Sequence, residues 1–241
     1  MGDLEQPVAA STSRGGQQAS EPTEAAVSAE ATGLLLRGIM RGRGHERRLA
    51  KLASDPGDEL IEHKGLTALV HTVPYRLPDW DREFVRAHSS AIERAMRRAT
   101  IVPAPYGIVF QDHHQVVDFL DTQYVALDEA LTFLDGAFEM RLHIEASGRR
   151  PDASESAQAD QAASFYTALR RRSRAAFTLP VTGMRVLSAA FLVSRSDWVD
   201  FVEYADELDA DNPEFQFDLT GPWPPYDFVR MAFFPSEDSG G

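Results

Sequence analysis

The segment Gly221-Pro222-Trp223-Pro224-Pro225-Tyr226-Asp227-Phe228 constrains this chain more than any other. Three of its four residues from 222 to 225 are proline, and Trp, Tyr and Phe flank them. Each proline fixes φ and lacks an N–H donor, so the stretch is excluded from helices and central strands. The rings are costly to leave in water and each can bury a large apolar area. A rigid, ring-rich turn of this kind serves either as a clamp onto its own fold or as an anchor for a partner. It follows a strand-like run, 215–220, of alternating character.

Composition narrows the class. The chain has 241 residues, 43% hydrophobic and 25% charged, which suits one large domain or two small ones with a real core. Asp plus Glu number 37 against 24 Lys plus Arg, a formal net charge of −13. Phosphate contacts need a basic surface, so nucleic acid is not an expected partner. Cysteine is absent, which removes disulfides, thiolate metal ligands and cysteine nucleophiles. No run approaches the roughly 20 apolar residues that span a bilayer, and no secretory leader pattern opens the chain. A soluble cytoplasmic protein with no membrane partner is the expectation.

Along the chain, residues 1–32 are rich in Ala, Ser, Gln, Glu and Gly and are expected to be a disordered tail. The apolar run 34–40 predicts a buried strand, 45–52 a short helix, and Asp55-Pro56-Gly57-Asp58 a turn. Strands at 59–63 and 67–73 flank Lys64-Gly65, which predicts a hairpin. A helix is predicted over 79–99, capped by Asp79, with Trp80, Phe84, Val85, His88, Ile92 and Met96 inward. Residues 100–110 predict a strand bent at Pro103 and Pro105. Asp112 is expected to cap a helix over 113–134 that Gly136 ends. Alternation over 138–144 marks a half-buried strand. The polar stretch 147–160 reads as a linker, 161–177 as a helix, 186–193 as a strand, 196–208 as a helix capped by Ser196, and 215–219 as the last strand.

The expected architecture is α+β in two subdomains. The first covers 33–146. The second covers 161–235 and takes in the strand 138–145. Residues 236–241 form a terminal tail.

Several clusters invite chemistry. Asp112-His113-His114, with His143 and His71 remote, lacks any HxxxH or HExxH spacing, so helix capping and surface histidines are the better reading and no metal is expected. No GxSxG, P-loop or GxGxxG pattern occurs, and Arg41-Gly42-Arg43-Gly44 is a basic turn. No catalytic residue, cofactor or enzyme activity is expected; an enzyme of unknown reaction is the weakest alternative. Arg170, Arg171, Arg172 and Arg174 are either a solvated helix face or a grip for an acidic partner. The acidic set Asp197, Asp200, Glu203, Asp206, Glu207, Asp209 and Asp211 is read the same way. Trp80 and Trp198 are expected in the core.

The candidate site is therefore Pro222, Trp223, Pro224, Pro225, Tyr226 and Phe228. For Trp223 the clamp and the anchor stay open, because Trp is enriched at binding hot spots. Pro222 and Pro225 also fit PxxP, so a soluble module presenting a proline-rich ligand is the second reading.

The unit "FDLTGPWPPYDFV" resembles the C-terminal signature of the gas vesicle GvpF/GvpL family. Four further stretches resemble that family in the same order. These are Gly65-Leu66-Thr67-Ala68-Leu69-Val70 with Val73-Pro74, Ile101-Val102-Pro103 with Tyr106-Gly107-Ile108-Val109-Phe110, Leu131 to Leu142, and Val186 to Val193. His88 with Ile92-Glu93 matches a family helix pattern. One departure is Pro105-Tyr106, where the family has Arg then Phe; the charge and a backbone donor are lost.

The resemblance implies an accessory protein of gas vesicles, the buoyancy compartments of prokaryotes. Such a minor component binds the small apolar shell protein and other vesicle proteins during assembly. It also implies location at the gas vesicle, and a second subdomain with a modified ferredoxin-like fold.

Overall fold

The apolar run after residue 33 becomes the spine of the first sheet. In the structure, a computed structural model, residues 31–42, 53, 55–76, 81–147 and 154–229 are described. Strand β1 (Thr32–Arg41) is buried over eight consecutive residues and has neighbours on both sides. It starts one residue earlier than the expected tail boundary, with Thr32 paired to Pro74. On one side lies the hairpin of β2 (Asp58–His63) and β3 (Leu66–Pro74), in the order β2-β3-β1. Lys64 and Gly65 both take positive φ, 49° and 87°, as a two-residue hairpin loop of matching twist requires. On the other side β4 (Ile101–Pro103) and β5 (Val109–Phe110) both pair with β1, so the proline-bent segment forms two short strands instead of one.

Arg37 breaks the register between β1 and β3. The bulge leaves it out of the ladder. Its guanidinium, 3% exposed, meets Asp55 at 3.0 Å and Asp58 at 2.7 Å, and Arg94 joins Asp55 at 2.6 Å. The sequence reading did not anticipate this buried network.

Helix α1 (Arg82–Met96) packs His88, Ala91, Ile92, Ala95 and Met96 inward. Its cap is Asp81, whose side chain accepts from the Glu83 N–H at 2.8 Å, and Asp79 is not the cap. Phe84, expected inward, is 60% exposed. The predicted helix at 45–52, Asp79 and Trp80, the tail up to residue 30 and the segment beyond 229 lie outside the described residues.

The single helix expected over 113–134 is two: α2 (His113–Thr122) and α3 (Tyr124–Leu134), broken at Gln123. Asp112 caps α2 as expected, accepting from the Gln115 N–H at 3.0 Å. The break lets α2 bury Val116 and Leu120 over β2, β3 and β5 while α3 buries Leu127, Leu131 and Leu134 over β4 and β1. Gly136, at φ 65°, ends this region.

The second sheet contains β6 (Ala137–Ala146), β7 (Ala175–Thr178), β8 (Arg185–Ser194) and β9 (Phe215–Trp223). Its order is β7-β8-β6-β9, antiparallel throughout. Helices α4 (Glu155–Arg170) and α5 (Trp198–Asp211) complete the chain order βαββαβ. One strand more is present than expected. Residues 175–178, of which the sequence reads 175–177 as a helix end, pair with β8, a long-range partner that local propensity does not reveal.

Two helix starts also move. The end of the expected linker, 155–160, belongs to α4, where Ser154 accepts from the Ala157 N–H. Helix α5 has Asp197, not Ser196, at its cap position, and Trp198, expected in the core, is 36% exposed in the first turn.

A core of Met140, Leu142, Ile144, Phe165, Leu169, Phe191, Phe201 and Phe215 fills the helix-covered face of this sheet. Near the start of β6 the opposite face joins the first core, where Ala137, Leu192 and Val229 cluster with Leu131 and Leu134. The architecture is α+β with two sheets. Among the described residues no helix is long and apolar enough to cross a membrane.

Candidate partner-binding surface at the C-terminal segment

Strand β9 runs further than the sequence predicts, through Pro222 to Trp223. It can do so because β9 is an edge strand and the proline sits at a bulge, where the missing N–H removes no ladder bond. The register shows the bulge: Arg141 pairs with Thr220, but Glu139 pairs with Trp223. Gly221 makes the turn at φ 134°. A Cβ there would stand 2.8 Å from Met140 Sδ and 3.0 Å from the Glu139 carbonyl oxygen, so only glycine fits.

Beyond the bulge the chain crosses the start of β6. Pro224 and Pro225 are buried. Tyr226–Phe228 form one turn of 3-10 helix, with the Tyr226 N–H donating to the Pro224 carbonyl at 2.7 Å. The Phe228 ring meets Phe177 at 4.8 Å and Phe133 at 6.5 Å between centroids, and Val229 is buried beside it. These residues clamp the segment to the fold. Trp223 differs: it is 39% exposed, and its Nε1 donates to Thr220 Oγ1 at 3.2 Å, which fixes the ring at the surface. The six candidate residues thus split into an inward clamp and one outward indole. With Pro224 and Pro225 buried, the segment does not offer the free extended ligand that the PxxP reading needs.

A charged cluster lies beneath this crossing. The Asp227 N–H donates to Glu139 Oε2 at 2.9 Å. Arg141 Nε donates to Glu139 Oε1 at 2.6 Å, and Arg141 Nη2 meets Asp227 Oδ2 at 2.8 Å. The Glu139 side chain is wholly buried. Burial pushes its carboxyl up to about 7; the Asp227 N–H and Arg141 oppose the rise, and the Asp227 charge adds to it. Burial likewise pushes the Tyr226 hydroxyl up to about 12, with Glu93 and Glu139 contributing.

Sequence reasoning missed Glu139, Arg141 and Asp227. Alternation puts Glu139 and Arg141 on the face opposite Met140 and Leu142, and strand periodicity alone reads that face as solvent. A carboxylate in the signature segment, Asp227, was the available signal.

The four arginines do not act together. Arg170 and Arg171 are exposed at the end of α4. Arg172 lies 3.7 Å over the Tyr204 ring. Arg174 Nη1 donates to the carbonyls of Phe133 and Asp135 at 3.0 and 2.7 Å, satisfying the open C-terminus of α3. The histidines also separate. His113 pairs with Glu59 at 2.7 Å, His114 with Asp118 at 2.8 Å, His71 with Asp58 at 2.9 Å, and His143 with Ser188 at 3.0 Å. Among the described residues no group of three or more His, Cys, Asp or Glu is placed to hold a metal.

The motifs around this segment agree with known proteins. A family model described as gas vesicle synthesis protein GvpL/GvpF matches residues 38–164 and 143–230. The chain belongs to the GvpL/GvpF family. Gas vesicle protein F1 of Halobacterium salinarum is 25% identical over 187 residues, covering 75% of this chain and 85% of the relative. Gas vesicle protein L of a Streptomyces species is 27% identical over 223 residues, covering 72% and 83%.

The crystal structure of GvpF from Anabaena superposes with a TM-score of 0.71 at 19% identity, over 83% of this chain and 97% of that one. GvpF from Microcystis aeruginosa gives 0.67 at 15% identity, over 82% and 99%. At these identities the two structures speak for the fold alone. The resemblance read from the five motifs therefore holds. This is a gas-vesicle-associated protein of a family of vesicle proteins, not an enzyme family.

Proposed function

We propose that this GvpL/GvpF protein supports gas vesicle assembly by binding the shell protein and other vesicle proteins, through a surface centred on Trp223. The observation that carries the reading is the contrast within one segment. Pro224, Pro225 and Val229 are buried, whereas Trp223 is held outward by a hydrogen bond. A rigid, half-exposed indole loses little entropy on binding, which is why such rings dominate interface energetics. An unassembled apolar shell protein exposes surface that aggregates. An acidic adaptor covers it while its net charge of −13 keeps the complex dispersed.

Within this reading, 33–146 and 161–235 are two working units. The second, joined by the strand 138–145, is a modified ferredoxin-like module that carries the binding surface.

The test is a pull-down with purified shell protein, together with deletion of the gene in its host. Capture and a vesicle defect support the proposal. Normal vesicles with no detectable capture sink it.

A further inference from the structure

Two carboxyl groups share one guanidinium beneath the C-terminal segment. Glu139 is wholly buried, Asp227 is 10% exposed, and Arg141 contacts both. With both ionised, two negative charges face one positive charge in a site largely removed from water. With a proton on Glu139 the cluster is neutral. Carboxylates confined at a shared site resolve their repulsion in this way.

The other groups around the pair do not change that balance. Tyr226 is a neutral phenol beside the pair. Glu93, from α1, adds negative potential at Tyr226. Arg195, from the β8–α5 turn, lies over the Phe138 ring and donates to the Met96 carbonyl.

The cluster is also mechanically placed. Glu139 belongs to β6, while Asp227 belongs to the turn that carries Phe228 across Phe177 and Phe133. The Asp227 N–H donates directly to Glu139. Repulsion between the two carboxylates therefore pushes the turn away from the sheet.

We infer that Glu139, beneath Asp227, is a proton-operated latch: a proton on Glu139 holds the 226–229 segment on β6, and its loss loosens the segment and uncovers Phe228. The latch deepens the reading of this segment as a partner surface and rests on it only for what the uncovered ring meets. The sign follows from the environment of Glu139. In the closed state burial, with Asp227 beside it, raises the carboxyl to about 7, so the proton is held below that pH and lost above it. In the released state the carboxyl is ordinary and already ionised from pH 6 upward. Release is therefore coupled to proton loss, and its equilibrium constant rises about tenfold between pH 6 and pH 8.

The test is hydrogen–deuterium exchange of the full chain at pH 6, 7 and 8, read at residues 226–229 and corrected for the intrinsic pH dependence of exchange. The wild type is expected to show the roughly tenfold rise in opening. Glu139→Gln is expected to show none, and Asp227→Asn, which leaves Glu139 buried against Arg141, a smaller rise than the wild type. A flat wild-type profile overturns the latch, and so does an equal rise in the variants. If one variant fails to fold, the other carries the comparison. A shell-protein pull-down at pH 6 and pH 8 separates the two ideas: no capture at either pH, with the exchange profile intact, refutes the binding reading and leaves the latch standing.

Discussion

Replacing Trp223 with alanine separates an anchor from a clamp, because the structure sets different costs for the two. A tryptophan can bury up to about 250 Å². At 39% exposure, Trp223 covers about 150 Å² of that, worth an upper limit of about 4 kcal/mol at ~25 cal/mol per Å². Alanine keeps part of this area, and the unfolded chain already hides some of it. The ring lies on an open edge, so its loss leaves no closed cavity and no cavity cost.

The expected destabilisation is about 2 kcal/mol, against about 3–5 kcal/mol for a fully enclosed large ring. Binding should suffer more visibly. A hot-spot truncation of about 2 kcal/mol weakens affinity about thirtyfold. Urea unfolding at constant m gives the first number, and titration against purified shell protein gives the second. A stability loss of 4 kcal/mol or more with unchanged binding would refute the anchor reasoning and make Trp223 part of the clamp.

Three further outcomes are expected. Gly221→Ala should cost about 2–3 kcal/mol by thermal unfolding, since its Cβ would press on Met140 Sδ and the Glu139 carbonyl. Gly183→Ala, also at positive φ but with nothing within 4 Å, should cost only about 1 kcal/mol, and equal costs would discredit the steric account. Arg37→Met takes the guanidinium from the fully buried Asp58 carboxylate, leaving it His71 and the Asp55 N–H, and should cost about 3 kcal/mol in urea, with part recovered on adding Asp58→Asn; no recovery would mean that packing, not charge, sets the loss.

His88 is pushed down to about 4, chiefly by burial, and stays neutral in the folded protein. The unfolded chain takes up that proton below about 6.5, so this stability is present above 6.5 and is lost towards pH 4, reaching about 2 kcal/mol at pH 5. Glu139 acts in the opposite sense between its unfolded and folded values, so the measurement is the difference between wild type and His88→Phe, where the Glu139 contribution cancels. Parallel curves would show that His88 does not set the slope.

Features decided by a few adjacent residues were legible in the chain. The apolar run at 34–40 read as a buried strand, and Lys64-Gly65 specified a tight hairpin loop. Pro103 and Pro105 forced a bend, Asp112 capped a helix, and Gly136 ended a helical region. Each rests on backbone sterics or a local hydrogen bond, which the sequence carries whatever surrounds it. The Pro-aromatic segment was legible for the same reason, down to its exclusion from any central strand. Its match to family motifs carried the functional class.

What the chain did not disclose depends on groups far apart in sequence. Ala175 and Ala176 favour a helix by propensity, yet become strand because β8 offers an unpaired edge. The helix at 113–134 breaks at Gln123 because its two halves have different surfaces to cover. Phe84 falls at helical spacing but outside the buried face of α1. Glu139 sits where alternation predicts solvent, and only the return of the chain 88 residues later, with Asp227 over β6, buries it. Sequence determined the local conformations and the family. Tertiary structure decided which side chains lost their water, because desolvation is set by what packs across a residue and not by what precedes it.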